Sequence, residues 1–450
     1  MVSGLSGALV EQGHEITVAT PFYRSIRKSH RDLQPYGQEF QITLGKNVFR
    51  GQWWTTMTES AVTVLFLENK KFFEREGLYA ENGNGYWDNP ERFMFLSKAV
   101  AELSADFDVV HVHDWQTAFV PMLLKLGPKK KIPRIIFTIH NLAYQGACEK
   151  ERFEITNLPK RHFKKKGPEF WGSLNFLKAG LHYADEITTV SPGYAKEILT
   201  PEFGEGMDGV LRSRKKNLTG VLNGVDYGEW KTNGNPHLLA DYSPEDLSGK
   251  LACKKAVMHE MGLTQCHLPL FGIITRFAEQ KGIGLLAETI GEFLDKKKLQ
   301  LVVLGEGDQL LADRLNQITN KFPDMISVQV GYNARLAHQI EAGSDFYLMP
   351  SRFEPCGLNQ MYSLRYGSIP IVHAVGGLDD TIRDKKSDCG PVNGIKFYEF
   401  SEKAFHSAIS SALDIYHDPT KHNMIMKAGM NEDHSWRKSS KIYEKLYANI

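Results

Sequence analysis

The chain has 450 residues, 42% hydrophobic and 24% charged, with a formal net charge of +1. That length exceeds one ordinary hydrophobic core and calls for two or three domains. Near-neutrality gives no field to draw in nucleic acid or an anionic membrane, which leaves small molecules and neutral polymers as the expected partners. Cys148, Cys253, Cys266, Cys356 and Cys389 are scattered without metal-like pairing, and their odd number excludes a complete disulfide framework, so a reducing, cytoplasmic setting is expected. No apolar run has the length of a membrane helix, and the N-terminus lacks the basic start and apolar stretch of a signal peptide, so neither anchoring nor secretion is expected.

In chain order, MVSGLSGALV reads as the interior of a helix, Gly13-His14 as its stop, and residues 15–20 as a strand. Helix, turn and strand are normally the second half of an α/β repeat, so a strand is expected before them. Residues 109–113, 135–139, 186–190 and 220–222 are apolar runs that read as buried strands of a first parallel sheet. The polar, turn-rich stretch 230–236 reads as a linker. A second series follows at 270–274, 301–304, 327–330, 346–349 and 369–372. The pattern is that of an α/β chain with two facing doubly wound parallel-sheet domains and a shared cleft, because ligands of such sheets bind beyond the carboxyl ends of the strands.

The chemistry-bearing residues fall at those strand ends. In TRFAEQKG, Arg276 and Lys281 stand on a strand-to-helix loop ahead of Gly282. Two cations at a helix start, where backbone N–H groups point outward, suit a diphosphate, and an exposed salt-bridging loop would read the same way. In PSRFEPCGLNQMYSLRYG, Glu354 precedes a stiffening proline, and Cys356, Gly357 and Leu358 are expected to open a helix with free N–H groups. A carboxylate beside such donors suits several sugar hydroxyls, with a plain helix cap as the alternative. His140-Asn141 closes a buried strand, where a histidine is more often satisfied in the core than catalytic, and Asp114 is open to reading as a helix cap. Gly376-Gly377 fits close backbone approach to phosphate or an ordinary turn. Asn223 and Tyr332 also follow strands.

The stretches YWDNPERF, VHDWQTAFVP, TIHNLAYQG, TVSPGYAKEI, VLNGVDYGEW, TRFAEQKG, GYNARLAHQIEAGSDFYLMPSRFEPCGLNQMYSLRYG and GGLDDTI run in this order over nearly the whole chain. Together they resemble the bacterial glycogen synthase and plant starch synthase family, retaining glucosyltransferases of the GT-B fold. The resemblance implies transfer of glucose from ADP-glucose or UDP-glucose to the nonreducing 4-hydroxyl of an α-1,4-glucan, with no cofactor and no metal. It implies that Arg276 and Lys281 neutralise the donor diphosphate, and that Glu354 with the N–H groups of Cys356, Gly357 and Leu358 holds the glucose. His140 would lie beside the anomeric centre, Asp114 on the acceptor side, and Tyr332 against the nucleotide base. Asn223 would contact glucose, Gly377 would belong to the loop that wraps the donor, and Asn141 and Thr381 are assigned to substrate binding with them.

With the linker at 230–236, the chain is expected to divide into an acceptor-side domain of residues 1–232, joined by a C-terminal helix at 432–450, and a nucleotide-sugar-binding domain of residues 233–431. Tyr362 stands where related GT-B enzymes carry the second acid of an E-x7-E pattern, as is usual in this family, and Asn359 stands where threonine is common. In the family a strand and a Lys-x-Gly-Gly loop precede the helix matching residues 2–9. Their absence here leads to the expectation of a strand and loop upstream, or alternatively of a catalytically silent glucan-binding or regulatory relative. A sucrose-type synthase or a phosphorylase fits the motifs less well. Asp106-Phe107-Asp108 has the D-x-D spacing of metal-dependent transferases of another fold but leads into a strand instead of leaving one, so it is not assigned a metal. Gly305-Glu306-Gly307 lacks the third glycine of a dinucleotide fingerprint. The lysine runs 129–131, 164–166 and 296–298 read as solvated surface.

Overall fold

Two groups of strands organise the chain in a computed structural model, which describes residues 1–29, 33–81, 83–128, 131–387 and 390–448. Cys389 and Lys129 with Lys130 lie outside the described residues. One compact unit comprises Met1–Val190, Ala195–Leu222 and Trp436–Ile450, the other Ser191–Tyr194 and Asn223–Ser435.

In the first unit, α1 (Val2–Glu11) leads to β1 (Thr17–Pro21), which pairs in parallel with β4 (Thr63–Glu68). Beyond β4 lie β3 (Asn47–Met57) and β2 (Gln34–Leu44), both joined antiparallel, so this sheet runs β1-β4-β3-β2. A second four-stranded sheet is wholly parallel, in the order β8-β7-β6-β5, from β5 (Val109–His113), β6 (Arg134–Ile139), β7 (Glu186–Thr189) and β8 (Leu218–Gly220). Ile135, Ile136, Phe137 and Ile187 are fully buried there, as expected of parallel strands covered on both faces. The last expected strand of this series therefore ends at Gly220 instead of continuing to 222.

The C-terminal helix Trp436–Ala448 closes the first unit against α1. A side-chain carbon at Gly4 would lie 2.1 Å from Trp436 Nε1, so only glycine lets the indole pack there. Leu5, Leu9, Val221, Trp436 and Tyr443 form the resulting cluster.

The second unit is built on six parallel strands: β9 (Leu270–Phe277), β10 (Gln300–Gly307), β11 (Ile326–Val330), β12 (Phe346–Met349), β13 (Ile369–His373) and β14 (Ile395–Phe397). Their order is β11-β10-β9-β12-β13-β14. The chain winds outward from β9 to β11 and then returns to the other side of β9, which puts the topological switch point between β9 and β12. β9 pairs with β10 from Leu270 to Phe277 but with β12 only at Phe271 and Gly272, so β9 and β12 part near their carboxyl ends.

Three local expectations change. Arg276 belongs to β9, in register with Glu306, and not to the loop after it, because pairing with β10 prolongs the strand. Gly305-Glu306-Gly307 likewise lies inside β10. The helix after SRFEPCG begins at Asn359, because Gly357 has φ +68, a left-handed conformation that a helix does not continue through. The stretch 230–236 is also no free linker: Trp230 stacks on Tyr362 with ring centroids 3.7 Å apart, and buried Asn235 donates to the Tyr366 hydroxyl at 2.9 Å. No helix among the described residues is long and apolar enough to cross a membrane.

Candidate active site

Where β9 and β12 part, the second unit holds a cavity of about 220 Å³ lined by residues that include Thr275, Arg276, Lys281, Ser351, Glu354, Gly357, Leu358 and Asn359. Lys281 arrives there on a single turn, Glu279–Lys281, closed by Gly282 at φ +71. A side-chain carbon at Gly282 would fall 1.9 Å from the Pro350 carbonyl oxygen, so glycine permits the turn to pack on the Ser351–Glu354 loop. The Lys281 ammonium then meets Glu354 Oε2 at 2.5 Å, and Ser351 Oγ donates to the same oxygen at 3.0 Å. Arg276 is exposed and has no ion-pair partner among the described residues.

Backbone contacts support the Glu354–Leu358 turn. Gly377 N–H donates to the Glu354 carbonyl at 3.1 Å, and a side-chain carbon at Gly377 would lie 2.1 Å from the Cys356 carbonyl oxygen. Gln360 fixes the turn by donating to the carbonyls of Cys356 and Gly357 and to Thr381 Oγ1. At the start of the helix Asn359–Tyr366, the N–H groups of Met361 and Tyr362 donate to the Leu358 carbonyl at 2.9 and 3.0 Å, which fixes the turn that leads into the helix. Cys356 is buried, and burial pushes its thiol up to about 12, which keeps it neutral. Asn223 Oδ1 is buried with no hydrogen-bond partner among the described residues. Thr381 is 1% exposed, and its hydroxyl is committed to the Gly377 carbonyl at 2.6 Å and to Gln360. Tyr332 is 84% exposed, just after Gly331 at φ +121.

The first unit gathers a second set at the ends of β5 and β6. His113 Nδ1 and His140 Nε2 are 3.1 Å apart, and Asp114 Oδ1 accepts the His140 N–H at 2.7 Å. Asp114 has φ 53, an unusual left-handed backbone for a residue with a side chain, which costs about 1–3 kcal/mol and tends to persist at functional sites. Burial raises its carboxyl to about 6, opposed by the N–H groups of His140 and Asn141. Burial lowers His140 to about 4, so its imidazole is neutral at neutral pH. The Asn141 side chain accepts the Ala143 N–H at 3.0 Å and shapes the loop. Behind the pair, His111 links Tyr447 to Thr138 at 2.8 and 2.6 Å, and Thr138 reaches Thr188 at 2.5 Å.

The starch synthase catalytic domain family matches residues 1–213, and the group 1 glycosyl transferase family matches residues 267–430. The glycogen synthase of Anaeromyxobacter dehalogenans strain 2CP-1 is 41% identical over 460 residues, spanning 100% of this chain and 95% of that protein. The chain belongs to the glycogen synthase and starch synthase family. The glycogen synthase of Cellvibrio japonicus is 40% identical over 469 residues, with the same coverage. Among solved structures, the catalytic domain of starch synthase IV from Arabidopsis thaliana, bound to ADP and acarbose, superposes with a TM-score of 0.90 at 33% identity over 99% of this chain and 94% of that one. A sucrose-phosphate synthase from Thermosynechococcus elongatus, at 15% identity and TM-score 0.61, shares the fold. The family's members are nucleotide-sugar glucosyltransferases of the GT-B fold, and this chain is one of them.

The geometry brings Arg276, Lys281, Glu354, Gly357 and Leu358 to one cavity of the second unit, and Asp114, His140 and Asn141 to one loop cluster of the first. Sequence reasoning gave Gln360 no place at the site, and it placed His113 and Ser351 at strand ends without assigning either a role. Ser351 stands in the quoted motif and His113 alternates with His111 along β5, but their partners come from register and loop packing.

Proposed function

We propose that this glucosyltransferase elongates an α-1,4-glucan with glucose from ADP-glucose, retaining the anomeric configuration. The observation that carries the reading is the Lys281–Glu354–Ser351 cluster beside exposed Arg276 at the switch point of a parallel sheet. The starch synthase IV structure bound to ADP supports an adenine nucleotide as the donor.

In this reading the donor diphosphate lies against Arg276 and Lys281, which stabilise the charge that develops as it departs. Glu354 and the N–H groups of Cys356, Gly357 and Leu358 take the glucose hydroxyls, Asn223 Oδ1 accepts one more, and Tyr332 stacks on the base. Gly377 keeps the cradle wall thin, and Thr381 acts by holding the Gly377 turn. His140 sits beside the anomeric carbon. Because burial keeps its imidazole neutral, it places no positive charge next to an oxocarbenium-like transition state. Asp114, ionised above about pH 6, holds the His140 loop and favours that positive charge from the acceptor side. The glucan 4-hydroxyl attacks from the face that the diphosphate leaves, and its proton passes to the departing phosphate oxygen. The cytoplasm is the setting, with neither nucleic acid nor membrane as partner.

The test is transfer of labelled glucose to glycogen from ADP-glucose and from UDP-glucose, with the anomeric configuration of the product read by NMR. Transfer from ADP-glucose in the α configuration is expected, and no transfer from either donor refutes the reading.

A further inference from the structure

The cavity exists because β9 and β12 stop pairing after Gly272, and that opening exposes main-chain groups of β9 that a ladder would satisfy. Ile274 is the residue affected. Its N–H donates to the Tyr347 hydroxyl at 2.9 Å, and its carbonyl accepts from that hydroxyl at 3.2 Å and from Asn359 Nδ2 at 2.8 Å. Asn359 Nδ2 also donates to the Tyr347 hydroxyl at 2.7 Å, so the two side chains form one bracket in place of the missing strand pairing. Tyr347 is fully buried. Ser363 Oγ ties the Asn359 carbonyl to Glu341 Oε2 at 2.7 and 2.8 Å, and burial pushes the Glu341 carboxyl well above the usual carboxylate range beside the Tyr347 hydroxyl.

Resting on the donor-site reading above, we propose that Tyr347 and Asn359 are positioning residues for donor binding. They hold Ile274, just upstream of Arg276, at the separation from the Ser351–Glu354 loop that a diphosphate sugar requires. Neither needs to touch the reacting atoms. Loosening the bracket lets Thr275 and Arg276 swing, and the cost falls on the donor and not on the glucan.

The test compares Tyr347→Phe and Asn359→Asp in the full chain. The first removes the hydroxyl, and the second keeps the shape but turns a donor into an acceptor facing the Ile274 carbonyl. Donor KM and the ADP dissociation constant are expected to rise about tenfold in each, the scale of a buried hydrogen bond lost, with the glycogen KM unchanged. The double variant is expected to be no worse than the weaker single, because the two act as one unit. Tyr242→Phe is the structural control, since Tyr242 is also buried and donates to the Tyr366 carbonyl at 2.9 Å away from the cavity. It is expected to lower the melting temperature as much as Tyr347→Phe while leaving donor KM alone. An unchanged donor KM in both bracket variants, an equal rise in Tyr242→Phe, or a parallel rise in glycogen KM overturns the inference. Wild-type chain that transfers no glucose from any nucleotide sugar instead refutes the function itself, and calorimetric ADP binding keeps the two failures apart.

Discussion

Replacing Asp114 by asparagine is expected to make the protein more stable and less active. Burial lifts the Asp114 carboxyl from 3.8 to about 6, a difference of about two units. At 1.36 kcal/mol per unit, keeping the group ionised costs the folded state roughly 2–3 kcal/mol at neutral pH. The sign follows from proton binding: between about pH 4 and pH 6 the folded chain holds a proton that the unfolded chain has released. Stability is therefore greatest below the unfolded pKa and declines as pH rises through about 6. Asparagine has no proton to lose, still offers Oδ1 to the His140 N–H, and tolerates φ 53. Urea denaturation of Asp114→Asn and wild type at pH 7.5, 6 and 4.5 should give an advantage of about 2 kcal/mol to the variant at pH 7.5, shrinking steadily with acidification, while turnover at pH 7.5 falls. A variant no more stable at pH 7.5, or an advantage independent of pH, refutes the reasoning.

Arg276→Ala and Lys281→Ala should each lower kcat/KM about a hundred- to thousand-fold, the usual effect of removing one preorganised donor. Only Lys281→Ala should also lower the melting temperature, because it strands the buried Glu354 carboxylate, and near-normal turnover in either variant contradicts the assignment. Gly377→Ala drives a methyl to 2.1 Å from the Cys356 carbonyl oxygen, so the cradle must shift and donor KM should rise at least about tenfold; an unchanged KM refutes the close approach. A thiol reagent at pH 8 should label exposed Cys266 well before Cys356, whose buried thiol is pushed up to about 12, and the reverse order contradicts that burial.

Strands such as Arg134–Ile139 and Phe346–Met349 are legible in the amino-acid sequence because covered parallel strands need apolar residues on both faces. The hairpin of β2 and β3 is not, because the first residues of β2 are exposed and polar and leave no apolar run to read. The extension of β9 through Thr275 and Arg276 is set by its pairing with β10, a tertiary fact that local composition does not carry. The delayed start of the helix at Asn359 depends on the sign of one φ angle at Gly357. At the site, charged residues next to strand ends announce themselves, whereas their supports do not. His113 reaches His140 only because β5 and β6 run in register, with His113 opposite Thr138. Tyr347 reads as one more apolar strand residue until the parting of β9 and β12 reveals what its hydroxyl satisfies.

The central claim is that the parted end of this sheet grips the diphosphate of a sugar nucleotide. A crystal structure of the chain with ADP-glucose tests it most directly. The account predicts phosphate oxygens within hydrogen-bond distance of Arg276 and Lys281, and glucose hydroxyls on Glu354 and on the N–H groups of Cys356, Gly357 and Leu358. Nucleotide bound elsewhere, or a diphosphate that leaves both cations untouched, would contradict it.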